Sequence, residues 1–190
     1  MKIGLFFGSF NPVHCGHMII AGYMSEFTDL EQVWFIVSPH NPLKIKNTLL
    51  QDYHRMTLVK TAIGDNRKLK ASDIEFKLTR PSYTVHTLAY LYEKFPMHHF
   101  VLILGSDNLE TFQKWKNYEQ ILEQVELYVY PRKDSAGGEL KNHPKVRYIN
   151  APVMEISSSF IRTSIKDKKD VRYMMPEKVW EYIDEMNFYR

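Results

Sequence analysis

A single cysteine, Cys15, among 190 residues excludes a disulfide within the chain and any zinc site built from cysteines. A reducing, cytoplasmic setting is the expectation. No apolar run approaches the ~20 residues that a bilayer demands. The opening run, Ile3 to Phe7, is too short for the apolar part of a secretion signal and has no cleavage pattern behind it, so neither export nor membrane insertion is expected. Excess charge of one sign is also lacking. With 25 basic against 22 acidic side chains, the formal charge of +3 is too small and too dispersed to coat a polyanion, and nucleic acid is not an expected partner. A few Lys and Arg gathered at one pocket would still suit a small phosphorylated ligand. Internal repeats, low-complexity segments and linker-like stretches are missing too. What is present, 44% hydrophobic and 14% aromatic residues, suffices for one core, so 1–190 reads as one domain.

Four short apolar runs rich in β-branched and aromatic residues, Ile3–Phe7, Val33–Val37, Phe100–Leu104 and Leu127–Tyr130, read as strands buried on both faces. Between them, His17–Phe27, Tyr53–Ile63, Tyr83–Phe95 and Tyr118–Val125 carry helical spacing. Strands alternating with helices predict an α/β fold, a Rossmann-like doubly wound parallel sheet with helices on both faces. Val146–Ile149 adds a further strand, and Pro176 opens a last helix running to about Asn187. The stretch from Asp134 to Pro144, with Gly137-Gly138, is the clearest mobile loop, ahead of Asn41–Thr48 and Lys166–Asp170.

Polar, glycine-bearing and basic residues follow each strand: Gly8 to His17 after the first, Ser38 to Lys44 after the second, Gly105-Ser-Asp107 and Pro131-Arg-Lys133 after the next two. In an open parallel sheet, ligands lie beyond the carboxyl ends of the strands. Gly8 and Ser9 allow close backbone approach to a phosphate, and the helix that follows points free N–H groups at the same anion. His14 and His17, three apart at that helix start, share one face and can donate to phosphoryl oxygens whose charge grows during transfer. The competing readings are a zinc pair, for which no third ligand is evident nearby, and plain surface histidines. Ile156-Ser-Ser-Ser-Phe-Ile-Arg162 reads as a helix start with hydroxyls and free N–H groups, with an ordinary serine cap and a solvated arginine as the bland version.

The run Gly8-Ser-Phe-Asn-Pro-Val-His-Cys-Gly-His17 resembles the His-x-Gly-His motif of the nucleotidyltransferase superfamily, and Ile156 to Arg162 is similar to its second motif. Three further segments resemble bacterial nicotinate-nucleotide adenylyltransferases: Glu75 through Arg80 and Ser82-Tyr-Thr84 to Thr87-Leu88, Gly105-Ser-Asp107, and Phe112 with Trp115. Pro39 to Lys44 is similar to their Pro-rich loop, and the match runs on to Tyr173–Ile183. The resemblance implies transfer of the adenylyl group of ATP to nicotinic acid mononucleotide, releasing pyrophosphate, in NAD biosynthesis.

It further implies His14, His17 and Arg162 as catalytic residues. Gly8, Ser9, Phe10, Gly105, Asp107, Ile156 and Ser158 would bind ATP. Lys44, Ser82, Tyr83, Thr84, Thr87 and Trp115 would bind the acceptor. The chemistry supports several of these: Asp107 can accept from a ribose hydroxyl, Trp115 offers a flat face to a pyridine ring, and Thr84 offers an N–H and a hydroxyl to a carboxylate. The competing reading of Trp115 is a packing aromatic in the core or at the surface. The implied metal is Mg²⁺ carried by the ATP phosphates, with no ligand assigned on the chain. Oligomeric state stays open, a homodimer included.

Three positions depart from the family pattern. Phe7 replaces a frequent Gly and is expected to tighten the loop, Asn11 replaces Asp while keeping a hydrogen-bonding group, and His86 replaces the Asp after Ser-Tyr-Thr. Cys15 reads as a small packing residue, His98-His99 as solvent-facing, and Tyr83, Leu88, Leu91 and Tyr92 as core. The rivals are a phosphopantetheine-type adenylyltransferase and a non-catalytic nucleotide-binding module. A synthetase would need tRNA-binding domains beyond this length.

Overall fold

The computed structural model describes residues 1–39 and 49–190. Its centre is a six-stranded, all-parallel sheet formed by β1 (Lys2–Gly8), β2 (Gln32–Val37), β3 (Leu69–Ser72), β4 (His99–Gly105), β5 (Glu126–Tyr130) and β6 (Val146–Tyr148), in the order β3-β2-β1-β4-β5-β6. The helices are α1 (Cys15–Phe27), α2 (Asp52–Ile63), α3 (Thr84–Lys94), α4 (Ser106–Glu110), α5 (Tyr118–Gln124), α6 (Ser158–Lys166) and α7 (Glu177–Glu185).

Period-two alternation along the strands divides the core between the two faces of the sheet. Phe6, Phe35, Val101, Ile103 and Tyr128 pack on one side with α1, α6 and α7 residues such as Met24, Ile161 and Val179. Ile3, Leu5, Ile36, Leu102, Leu104 and Val129 pack on the other with Leu88, Leu91 and Ile121 of α3 and α5. The expected strands and helices are all present, with ends shifted by one or two residues. Two further elements carry little signal in the sequence. β3, Leu-Lys-Ala-Ser, is a half-polar edge strand held by pairing with β2, and α4 is too short to show a period.

Two other expectations need correction. Residues 134–144 form a tied loop: a 3-10 turn covers Glu139–Asn142, and Glu110 accepts from Ser135 Oγ and from the N–H groups of Ala136 and Gly137. Positive φ at Gly137 and Gly138 lets the chain fold back onto that carboxylate. His99 is exposed, but His98 is half-buried, its ring stacked on Phe95 at 5.5 Å with the planes 3° apart. No helix among the described residues is long and apolar enough to cross a membrane.

At the amino edge of the sheet, away from the carboxyl ends, a charged cluster ties distant segments together. Tyr128 Oη donates to Asp29 at 2.5 Å, Lys2 Nζ reaches Asp29 and Glu126 at 2.8 and 2.9 Å, and Arg147 adds a contact to Asp29 at 3.2 Å. Partial burial works against ionisation of Asp29, but the hydrogen bonds from Lys2 and Tyr128 outweigh it and hold the carboxyl at about 2. A folded-state pKa below the unfolded value stabilises above the unfolded value, and that contribution disappears as pH falls through the folded one. Asp29→Asn is therefore expected to lower the melting temperature at pH 6, with the gap from the parent protein narrowing as pH drops from about 4 toward 2. Thermal melts across that range check it; a gap independent of pH would remove Asp29 ionisation as the cause.

Candidate active site

Strand β1 lies between β2 and β4, where the strand order reverses, so a crevice opens beyond its carboxyl end. Gly8 closes the strand and Phe10 turns the chain at φ 45°, burying its ring under the motif. A Cβ at Gly8 would sit 2.9 Å from the Phe10 ring, which explains the glycine. Phe10 is 1% exposed and meets the His17 ring edge-on at 5.1 Å, so its side chain supports the histidine and only its backbone can face a ligand.

His14 caps α1, and His17 occupies the third helical position, where its Nδ1 accepts from the His14 N–H at 3.2 Å. That bond uses Nδ1 as an acceptor and puts the proton of a neutral His17 on Nε2. The two imidazoles stack at 3.7 Å. Burial, then the nearby positive Arg132, pushes His14 down to about 4, so it is neutral at pH 7 and adds no repulsion to the stack.

The second motif meets the first directly. Ser157 caps α6 by accepting from the Phe160 N–H; Ser158 Oγ donates to the Pro12 carbonyl at 2.9 Å, and Arg162 to the Asn11 carbonyl at 2.7 Å. Arg162 also reaches Ser159 Oγ at 3.2 Å. Ile156 packs half-buried on the core beside this turn.

Gly105 ends β4, and a Cβ there would collide with the Asp107 carboxylate and approach Arg132 to 2.9 Å. The absent side chain leaves room for Arg132, whose N–H is fixed by buried Ser106 Oγ at 2.9 Å and whose Nε stands 3.8 Å from Asp107. Trp115 is half-exposed, one face against Phe112 at 4.9 Å, and lines a cleft with Phe7, Leu104, Gly105 and Asn108. Lys116, the next residue, places its ammonium over the Tyr83 ring at 4.5 Å, which brings the Ser82-Tyr-Thr84 loop beside that cleft.

Thr84 opens α3 half-exposed, so its N–H belongs to the first helical turn, where no acceptor exists within the helix. Thr87 differs: it is fully buried, and its hydroxyl donates to Glu75 at 2.7 Å, so it braces the loop from below instead of facing the crevice. His86 is exposed beside the Tyr83 ring. Lys44 lies outside the described residues. Half-buried Cys15, its thiol pushed up by burial, is a packing residue.

Sequence reasoning misses Arg132 and Arg55 here, and it quotes Glu75 only as part of a family-like segment, without a role. Arg132 reads in the sequence only as part of a polar strand end. Arg55, fully buried, donates to the carbonyls of Ser9, Ser38 and Leu50 at 2.7–2.9 Å and pairs with Asp52 at 2.5 Å. Glu75, 2% exposed, sits among the hydroxyls of Ser38, Thr87 and Ser82, and burial raises its pKa. The available signal for Arg55 is its place beside Met56, Leu58 and Val59 on the buried side of α2, with a carboxylate three residues earlier.

Residues 5–164 match the family described as cytidylyltransferase-like. A protein of Flavobacterium johnsoniae, named a probable nicotinate-nucleotide adenylyltransferase, is 58% identical over the full length of both chains. One of Bacteroides thetaiotaomicron with the same name is 46% identical across 97% of this chain and 92% of its own. The chain belongs to the nicotinate-nucleotide adenylyltransferase family. The Plasmodium falciparum nicotinic acid mononucleotide adenylyltransferase complexed with NaAD shares this family's fold with the chain, at TM-score 0.83 and 22% identity over 99% of this chain and 97% of that one.

Arg55→Lys keeps the charge but loses the planar fork that serves several carbonyls at once. It is expected to destabilise the protein by about 2–4 kcal/mol, the range for disrupting a buried, hydrogen-bonded ion pair. Urea unfolding measures this, and an unchanged midpoint would show that an ammonium at this position satisfies the same carbonyls.

Proposed function

We propose that this chain is a nicotinate-nucleotide adenylyltransferase, joining the adenylyl group of ATP to nicotinic acid mononucleotide to give nicotinic acid adenine dinucleotide and pyrophosphate in NAD biosynthesis. The supporting observation is the junction of the two motifs: the His14–His17 stack, with Arg162 and Ser158 bonded to the loop that carries it. Full-length relatives of the same name agree with it. A phosphopantetheine-type acceptor would leave Trp115 and the Ser82–Thr84 loop without a task.

In this reading a phosphate oxygen of the mononucleotide attacks the α-phosphorus of ATP. The new P–O bond forms as the bond to the bridging oxygen breaks, and that electron pair leaves with pyrophosphate. The acceptor is already an anion, so no enzyme nucleophile is required. The chain contributes position and charge stabilisation. His17 donates from Nε2 to an α-phosphoryl oxygen, a role its Nδ1 bond to the His14 N–H prepares. His14, neutral and buried, stacks beneath it, and Arg162 presents its fork at the same edge. The first-turn N–H groups of α1 and α6, that of Ser158 among them, face the ATP phosphates, while the Ser158 hydroxyl holds the Pro12 carbonyl. Gly8, Ser9 and the Phe10 backbone admit them closely, while Gly105, Asp107 and Ile156 border the adenosine.

Lys44 would hold acceptor phosphate, and Tyr83, Thr84 and Trp115 would hold its pyridine end, with Ser82, buried against Glu75, bracing the loop as Thr87 does. Among the described residues no group of three His, Cys, Asp or Glu stands together to hold a metal ion. Mg²⁺ enters this proposal as part of the ATP substrate, carried by its phosphates. Cytoplasmic work, where ATP is supplied, fits the same reading.

His17→Ala is expected to cut turnover by roughly 10²–10³ while leaving the fold intact, the loss of one donor to developing charge. Steady-state assay of the folded, monodisperse variant checks it; undiminished turnover would remove His17 from the transfer step.

The acid should be used far better than the amide. Stacking on Trp115 does not separate nicotinic acid mononucleotide from nicotinamide mononucleotide, since both rings are flat and nearly equal in size. A carboxylate only accepts, and so suits N–H donors at the start of α3 near Thr84; an amide would turn its own NH₂ toward them. A site built on such donors discriminates by ~10⁴ in kcat/KM. Comparing the two acceptors at fixed ATP and Mg²⁺ decides it, and equal values would mean the donors at Thr84 do not meet the exocyclic group.

A further inference from the structure

Phe7 occupies a place in β1 that its neighbours on the same face do not share. Ile3, Leu5 and Phe7 alternate toward the side of the sheet covered by α3 and α5; Ile3 and Leu5 are fully buried, whereas Phe7 stays half-exposed. The parallel register pairs Phe6 with Ile103, so Phe7 stands level with Leu104 at the carboxyl ends of two adjacent strands. Its uncovered portion borders the cleft lined by Leu104, Gly105, Asn108 and Trp115. Trp115 and Phe7 pack on the same core cluster and reach the cleft from that face, while Phe6 and Tyr130 of the other cluster line it from below. The expectation that Phe7 merely tightens the motif loop does not account for this placement, because the loop is already held by Phe10, Arg55 and Arg162.

We propose that Phe7 is a second aromatic wall of the acceptor pocket and fixes the size of the ring it admits. The inference rests on the reading of the cleft as the pyridine site. A flat heteroaromatic ring has two faces and an edge, and Trp115 supplies contact to one face only. A phenyl ring at the mouth of β1 excludes water from the remainder and closes the space to bicyclic systems. A glycine there would leave the same cleft open on that side. On this proposal Phe7 meets the acceptor ring on the Trp115 side of the cleft, so it governs acceptor binding without entering the transfer step.

Phe7→Ala and Phe7→Leu are compared with the parent enzyme, with acceptor and ATP varied separately, alongside binding of nicotinic acid mononucleotide alone by calorimetry. The expected result for Phe7→Ala is a rise of roughly ten- to a hundredfold in acceptor KM and Kd, from lost apolar area and ring contact. The KM for ATP and kcat should stay within about twofold. Phe7→Leu, which preserves bulk and folding, should fall between the two. A quinoline-based mononucleotide that the parent enzyme rejects should become a substrate of Phe7→Ala. Unchanged acceptor affinity in either folded variant, or equal rises for acceptor and ATP, would overturn the proposal. The parent enzyme tests the underlying reading by itself. Should it prefer another ring-bearing phosphorylated acceptor, the same comparison is made with that one; should it use only acceptors without a ring, the proposal falls with the reading.

Discussion

The crevice depends on Arg55. Three carbonyls from three segments, Ser9 after β1, Ser38 after β2 and Leu50 before α2, converge on one guanidinium buried beneath them. Loop carbonyls at the end of a parallel sheet have no strand partner, and burying them unpaired would cost several kcal/mol. Arg55 satisfies them together, and Asp52 answers its charge at 2.5 Å. Burial opposes the charged form and draws its pKa down, yet the adjacent carboxylate keeps the pair ionic. Asp52 also reaches Arg80 at 2.7 Å, so the same carboxylate connects α2 to the segment leading into Ser82–Thr84.

Ser38 links this hub to a second one. Its carbonyl accepts from Arg55 while its hydroxyl lies against Glu75, which in turn accepts from Thr87 of α3. A buried carboxyl with raised pKa, surrounded by hydroxyls, can bond in either protonation state because a hydroxyl both donates and accepts. The acceptor loop thus rests on Glu75 much as the phosphate loop rests on Arg55. Neither group faces the crevice, and both determine where the residues that do face it can stand.

Much of this was legible in the sequence. Continuous apolar runs marked β1, β2, β4 and β5 because parallel strands are covered on both faces. The two histidines and the serine-to-arginine segment were legible because helix starts and hydroxyl caps have local signatures. Thr87 shows the limit: it belongs to a motif of site residues, but whether it faces ligand or Glu75 is decided by the rotation of α3 against a 3-10 turn twelve residues earlier. Arg55 and Arg132 were hidden for a similar reason. A basic residue in a helix or after a strand reads as solvated until the tertiary structure supplies carbonyls or a glycine gap for it to occupy. Residue type indicates what a side chain can bond, and only the packing of distant segments determines what it meets.

Asn11 illustrates how a departure from the family pattern can be accommodated by its surroundings. It is 2% exposed, and its Oδ1 accepts from the Leu50 N–H at 3.2 Å and from Tyr189 Oη at 2.8 Å, while its carbonyl receives Arg162. These two donors, Leu50 N–H and Tyr189 Oη, are neutral groups. Burial raises the Tyr189 pKa, with Arg162 and Arg55 pulling the other way, so the phenol remains a hydroxyl at any ordinary pH. An aspartate in that position would bring a charge into a nearly dry site where, among the described residues, Arg162 and Arg55 are already engaged with backbone carbonyls, and desolvation would oppose it. The amide supplies the same acceptor oxygen without the charge. Tyr189, beyond the last helix, is thereby tied to the first motif across 178 residues. The carboxyl-terminal segment and the second motif thus fix the phosphate loop through neighbouring atoms of one residue, the side-chain oxygen and the carbonyl of Asn11. The geometry of the transfer site is consequently a property of the whole folded chain, and no single motif could form it alone.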